Sequence, residues 1–176
     1  MSYTIHDIDS APEAARPLLE KAASSYGFIP NILGIMAESP ALLESYMTLS
    51  GIFEKTDFSA TEQQVVLLAV SHENGCGYCK AAHAGIAAMN QVPEDVVQAV
   101  VAGREIADAR LEALRRFTTR VVDTRGTPDP GDVDAFLDAG YATRHVFDVI
   151  AGVGMKTLSN YTNHIARTPL DAQFGG

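Results

Sequence analysis

Apolar residues recur at steps of three and four along almost the whole of this 176-residue chain, and no stretch shows the alternation of a half-buried strand. Leu42, Leu43, Tyr46, Leu49 and Phe53 make one such stripe, behind a Ser39-Pro40 start with proline at the first helical position. Leu111, Leu114, Phe117 and Val121 make another, within a helix expected from Asp108 to Arg125. Val65-Val66-Leu67-Leu68-Ala69-Val70 is apolar nearly all round. That run predicts a central helix, capped by Ser59 or Thr61 and buried on every side.

The breaks between these stripes are equally readable. Ser10-Ala11-Pro12-Glu13 resembles a capping box, and Pro17 restarts or kinks a helix running to about Tyr26. Gly27-Phe28-Ile29-Pro30-Asn31 reads as a break, with Gly27 a C-terminal stop and Pro30-Asn31 serving turn and cap chemistry before a short helix to about Glu38. Asn74-Gly75 ends the central helix, and another is expected from near Cys76 to about Asn90. Val92-Pro93-Glu94-Asp95 opens the next, with proline and two acids in its first turn. Gly126-Thr127-Pro128-Asp129-Pro130-Gly131 is the clearest loop. A short helix from Asp132 to Ala139 and a long one from about Thr143 to Ala166 follow, the latter containing Gly152 and Gly154. The reading is an all-α, single-domain helical bundle of about eight helices spanning 1–176.

Composition narrows the class. Hydrophobic residues make up 47% of the chain, enough for one globular domain with a full core. A formal net charge of −9 argues against nucleic acid or an anionic membrane as the main partner, because phosphate neutralisation needs clustered Lys and Arg. No apolar run reaches the length of a transmembrane helix. The polar, acidic start Met1-Ser2-Tyr3-Thr4-Ile5-His6-Asp7 is unlike a signal peptide, so the expected location is cytoplasmic. In a reducing compartment two cysteines are catalytic or metal-binding more often than structural.

Those two cysteines lie in Glu73-Asn74-Gly75-Cys76-Gly77-Tyr78-Cys79-Lys80-Ala81-Ala82-His83, a C-x-x-C pair with a histidine one helical turn on. Cys76, Cys79 and His83 share a helix face at relative positions 0, 3 and 7. A helix start, with its unpaired N–H groups and dipole, favours a thiolate at Cys76. Reduction of a peroxide needs a thiolate, a proton donor for the leaving oxygen and a second thiol to close a disulfide. The segment offers a group for each step. Other readings of the same residues stand beside this one. Cys76 and Cys79 as two small buried hydrophobes is one. A non-enzymatic dithiol sensor or adaptor is another. A zinc-binding structural domain using His72, Cys76, Cys79 and His83 is a third. Iron–sulfur binding normally needs four cysteine ligands, and the chain has two. Tyr78 packs over the thiols or hydrogen-bonds there, His145 and His164 are structural or surface residues, and the methionines fill the core or an interface.

The segment from Ser59 to His83 resembles the core of the alkyl hydroperoxidase D / carboxymuconolactone decarboxylase superfamily. The resemblance rests on the apolar helix, Ser71, Asn74-Gly75-Cys76-Gly77-Tyr78-Cys79 and Ala82-His83. Gly27 to Asn31 and Thr168-Pro169-Leu170-Asp171 match its peroxidase-related branch. It implies an all-helical fold with a redox core at about 59–90, oligomerising as trimers or hexamers. It implies that Cys79 attacks a hydroperoxide, that Cys76 closes the disulfide, and that His83 relays protons with a glutamate. An external thiol reductant would restore the dithiol. It speaks against decarboxylase activity, since that branch generally lacks the C-x-x-C pair. It calls for no cofactor or metal. This chain departs from the characterised hydroperoxidase twice. Tyr78 stands where that enzyme has a histidine, and Gln64 stands where its relay glutamate is expected, twelve residues before Cys76. An amide cannot hold a relay proton as a carboxylate does. Glu73, polar and next to the cysteines, is the expected substitute.

Overall fold

A computed structural model describes residues 3–175; Met1 and Ser2 of the polar start, and Gly176, lie outside the described residues. Nine α-helices and two short 3-10 turns account for the regular structure among the described residues, and there are no strands. The helices are α1 (Arg16–Tyr26), α2 (Asn31–Met36), α3 (Pro40–Phe53), α4 (Ala60–Glu73), α5 (Gly77–Met89), α6 (Glu94–Val101), α7 (Ala109–Asp123), α8 (Pro130–Asp138) and α9 (Thr143–Ala166). The all-α reading holds, with one helix more than the expected eight.

Local chemistry sets most boundaries. Ser59 caps α4 in a reciprocal box: its hydroxyl accepts from the Glu62 N–H, and the Glu62 carboxylate accepts from the Ser59 N–H at 2.8 Å. Asp108 caps α7 by accepting from the Leu111 N–H at 2.9 Å. Gly27 ends α1 in the left-handed region, at φ 78°, where a side chain would be strained. One expected cap differs. The Ser10 hydroxyl accepts from the Asp7 N–H while Asp7 accepts from the Ser10 N–H, so the first 3-10 turn, Glu13–Ala15, starts with no side-chain cap. Asp lies three residues before Ser10 and offers the closer partner.

α4 is the axis of the bundle. Val65 to Ser71 are all buried, and α5, α6, α7 and α9 pack around the helix. One core cluster joins α4 to Phe53, Phe117, Phe136, Val149 and Met155; a second lies under α1, α2 and the start of α3. No helix among the described residues is long and apolar enough to cross a membrane.

The two glycines of α9 have different meanings. A Cβ on Gly152 would come within 2.8 Å of Val66 and 2.9 Å of Phe53, whereas one on Gly154 would meet nothing within 4 Å. Gly152 is therefore the contact through which α9 approaches α4. Gly152→Ala is expected to destabilise the fold by about 1–3 kcal/mol through overpacking. Gly154→Ala should leave stability unchanged or raise it by up to about 1 kcal/mol, the helix-propensity gain alone. Urea midpoints of the two variants check this.

Candidate active site

The turn Asn74-Gly75-Cys76 carries the chain from the end of α4 into α5. Gly75 takes φ 66°, and the Cys76 N–H donates back to the Ser71 carbonyl at 2.9 Å. Cys76 is thereby the N-cap of α5, and Cys79 lies in its first turn. Both thiols are free and buried. The stripe of α9 that faces them is polar: Lys156, Ser159, Asn160 and Asn163, at relative positions 0, 3, 4 and 7, are all buried. The Asn163 side-chain amide donates to Cys79 Sγ at 3.2 Å and to Cys76 Sγ at 3.7 Å. Ser159 Oγ lies 3.8 Å from Cys79 Sγ. Asn160 accepts from the Asn74 side chain at 2.9 Å, tying α9 to the turn before the cysteines.

These contacts split the two thiols. A hydrogen bond from the Cys76 thiol lowers the Cys79 pKa most. Burial opposes it, and the Lys156 charge with Ser159 and Asn160 adds to the lowering, so Cys79 is held below the ordinary thiol range. Cys76 is pushed up by that same bond and by burial. The thiol held low is thus Cys79, inside the first turn, and not Cys76 at the cap, where placement at the helix start had favoured it. Cys79 also faces a cavity of about 310 Å³, whose wall includes Leu67, Ile86, Met155 and Phe174, with Tyr46, His83 and Lys156 among its polar groups.

His83 lies against this cavity, buried, with Nδ1 3.0 Å from Gln64 Oε1. Burial, then the Lys156 charge, lower its pKa well below the usual value, so the imidazole is neutral near pH 7. Glu73 does not join it. Nine residues separate Gln64 from Glu73, which at about 100° per residue puts them on opposite sides of α4. Glu73 is exposed and accepts from the Thr119 hydroxyl on α7 at 3.3 Å. Nearness in sequence to the cysteines implies a relay role for Glu73, but the helix turns its side chain away from them. Glu62 is committed to Ser59 and, at 2.6 Å, to Arg110. His72 is tied to the Val101 carbonyl at 3.1 Å, and no group of three or more candidate metal-ligating side chains gathers among the described residues.

Comparison with known proteins follows the same lines. Residues 40–120 match the family model described as the carboxymuconolactone decarboxylase family. That match covers a little under half of the chain and agrees with the resemblance to the alkyl hydroperoxidase D / carboxymuconolactone decarboxylase superfamily read from Ser59 to His83. Its fold is similar to a peroxidase-related protein with an alkylhydroperoxidase core from Ralstonia eutropha JMP134, at TM-score 0.85 and 20% identity, covering 98% of this chain and 93% of that one. A peroxidase-related protein from Silicibacter sp. TM1040 matches at TM-score 0.83 and 18% identity, over 100% and 96% of the two chains. The debrominase Bmp8, as a cysteine-to-alanine variant in complex with 2,3,4-tribromopyrrole, matches at TM-score 0.83 and 18% identity, over 99% and 94%. No protein of curated function matches by sequence.

Both flanking motifs of the resemblance converge on the residue between the cysteines. The Tyr78 hydroxyl donates to Asp171 Oδ2 and accepts from the Ile32 N–H at 3.4 Å. Asp171 Oδ1 accepts from the Asn31 N–H at 2.8 Å, and the Asn31 side chain donates to the Pro169 carbonyl at 3.1 Å. The tail is thus clamped, and Phe174 beyond it lies on the cavity wall, edge-on to Phe28 at 5.8 Å. Burial and the bond to Asp171 keep the Tyr78 phenol protonated. Asp171→Ala removes two bonds to a charged acceptor and should cost on the order of 2 kcal/mol or more. Trypsin cleavage after Arg167, the left-handed residue ending α9, should then accelerate. An unchanged rate would show that something else holds the tail.

Proposed function

We propose that this protein is a thiol-dependent hydroperoxide reductase working through a Cys76–Cys79 dithiol/disulfide cycle. The observation that carries the reading is the unequal buried pair: Cys79, the more acidic thiol, opens onto an apolar cavity while Cys76 stays protonated behind it. Cys79 thiolate attacks the terminal peroxide oxygen, the O–O bond breaks, and the alkoxide leaves as an alcohol after taking one proton. The resulting Cys79 sulfenic acid condenses with the Cys76 thiol to a disulfide and water. An external dithiol reduces the disulfide. Asn163, bonded to both sulfurs, keeps them on one donor while they approach. Neutral His83, held by Gln64, is placed along the cavity wall to accept or pass a proton but has no carboxylate to share it with.

The test is consumption of cumene hydroperoxide by purified protein with a dithiol reductant. Cys79→Ser should fall to the uncatalysed rate. Cys76→Ser should accumulate a dimedone-reactive sulfenic acid at Cys79 and lose turnover. Peroxide consumption that survives Cys79→Ser would sink the proposal. Reversible disulfide formation with no turnover would favour the sensor or adaptor reading instead.

The likeness in fold to a debrominase supports a second reading. The same dithiol can supply two electrons to a carbon–bromine bond, giving the C–H compound, bromide, a proton and the disulfide. Bromide release from a brominated pyrrole under the same conditions separates it from peroxide reduction.

A homo-oligomer belongs to the same proposal. Phe147, Ile150, Tyr161 and Ile165 leave an exposed apolar stripe along the outer face of α9, opposite the polar stripe that faces the thiols. Light scattering should return a multiple of the single-chain mass, and Phe147→Asp should lower it.

A further inference from the structure

The cavity holds one group that neither family resemblance nor motif spacing points to. Lys156 is 1% exposed, in the middle of α9, and its side chain lines the same cavity as Cys79 and His83. Among the described residues no carboxylate lies within 4 Å of its ammonium. A lysine buried without a counter-charge is costly enough that burial normally drives off its proton. A buried thiolate without a counter-charge faces the same penalty in reverse. The two penalties cancel only if the groups face each other.

The surroundings leave no other candidate for either partner. From α1 and α3 the cavity receives Tyr26 and Tyr46, and just past α3 Glu54, which is exposed and in contact with solvent. α4 contributes Gln64, an uncharged amide. α5 contributes Tyr78 and His83 beside Cys79; off the cavity wall, Cys76 at the cap of α5 shares the Asn163 amide with Cys79, and Asp171 of the tail is already bound to Tyr78 and Asn31. Burial raises the Tyr46 phenol, His83 is kept neutral, and Cys76 is held as the thiol. Cys79 is the one buried group left to carry the negative charge.

We propose that Lys156 is the buried counter-ion of the Cys79 thiolate, taking over the electrostatic task that a histidine–carboxylate relay performs where a glutamate stands at the Gln64 position. It is a positioning residue: it sets the charge state of the nucleophile while Asn163 and Ser159 set its orientation. The ion pair leaves the site with no net charge, which removes the need for a relay carboxylate and makes Gln64 compatible with a reactive thiol. The proposal deepens the dithiol reading, but its test needs no peroxide.

The experiment is the pH profile of Cys79 alkylation by iodoacetamide in a Cys76→Ser background, read by mass spectrometry with thermal melts as the folding control. With Lys156 present, half-maximal alkylation should fall below the ordinary thiol value of about 8.5. Lys156→Met should move the midpoint up by at least one pH unit, slowing alkylation about tenfold at any pH well below both midpoints. Lys156→Arg, which keeps the charge, should hold the low midpoint, and Gln64→Ala should leave it in place. Should Lys156→Met fail to fold, Lys156→Gln gives the same readout. A midpoint unmoved by loss of the charge, or moved as far by Gln64→Ala, would overturn the proposal. A retained low midpoint with no peroxide turnover would count against the hydroperoxide reading alone.

Discussion

Enclosure of α4 on every side is the constraint from which the site follows. A helix apolar all round has no solvent face, so its neighbours must cover it completely. The helix is covered as far as Ser71, and the chain then reverses into α5 through a partly exposed turn that brings the next inward-facing residues back against the bundle. In that turn and the first turn of α5, Cys76 and Cys79 are the residues that face inward and are buried, while Glu73, Gly75 and Gly77 reach solvent. Cysteine, one of the most readily buried residues, suits the position; a thiolate there does not unless polar partners come with it.

Those partners arrive on α9. Its approach to α4 is permitted at Gly152, where a side chain would collide with Val66 and Phe53. One turn further along, the face that continues this contact changes from glycine and Met155 to Lys156, Ser159, Asn160 and Asn163. Close packing and polar lining are consecutive segments of one helical stripe. The first fixes the distance between helices, and the second uses that distance to place an amide within 3.2 Å of a sulfur. Hydrogen bonds to charged acceptors in a low-dielectric setting are among the stronger ones a protein makes, so the packing contact has chemical consequences well beyond its own area.

Local features were legible in the sequence because their causes are local. The turn at Asn74-Gly75, the Ser59 cap, the Gly27 stop, the apolar α4 and the C-x-x-C-x-x-x-H spacing all depend on residues within one or two turns of each other. Glu73 shows where sequence nearness fails: three residues from Cys76, it belongs to the preceding helix and points away from the thiols. The α9 partners were missed because facing the cysteines is a property of packing across more than seventy residues. A signal was nonetheless present. Lys, Ser, Asn and Asn at 0, 3, 4 and 7 in a helix otherwise rich in apolar residues describe one polar face, and the opposite face carries Phe147, Ile150, Tyr161 and Ile165. A helix with its polar stripe toward the core presents its apolar stripe to solvent, and reading the hydrophobic side as the buried one inverts it.

The protonic groups around the thiols point in one direction. Tyr78, where the characterised hydroperoxidase has a histidine, is held protonated by burial and by Asp171, so it anchors the tail and does not shuttle protons. Gln64 supplies an oxygen to His83 but no charge. His83 is itself neutral, because burial and the nearby ammonium both disfavour its cation. Each change alone would weaken a relay built on ionised partners. Together they fit a different arrangement, in which the proposed charge pair runs from Cys79 on α5 to Lys156 on α9 while Gln64 and Tyr78 serve as hydrogen-bonding walls. Placing a carboxylate at position 64 would not simply build a relay, since it would introduce a second anion to compete with the thiolate for the same buried cation.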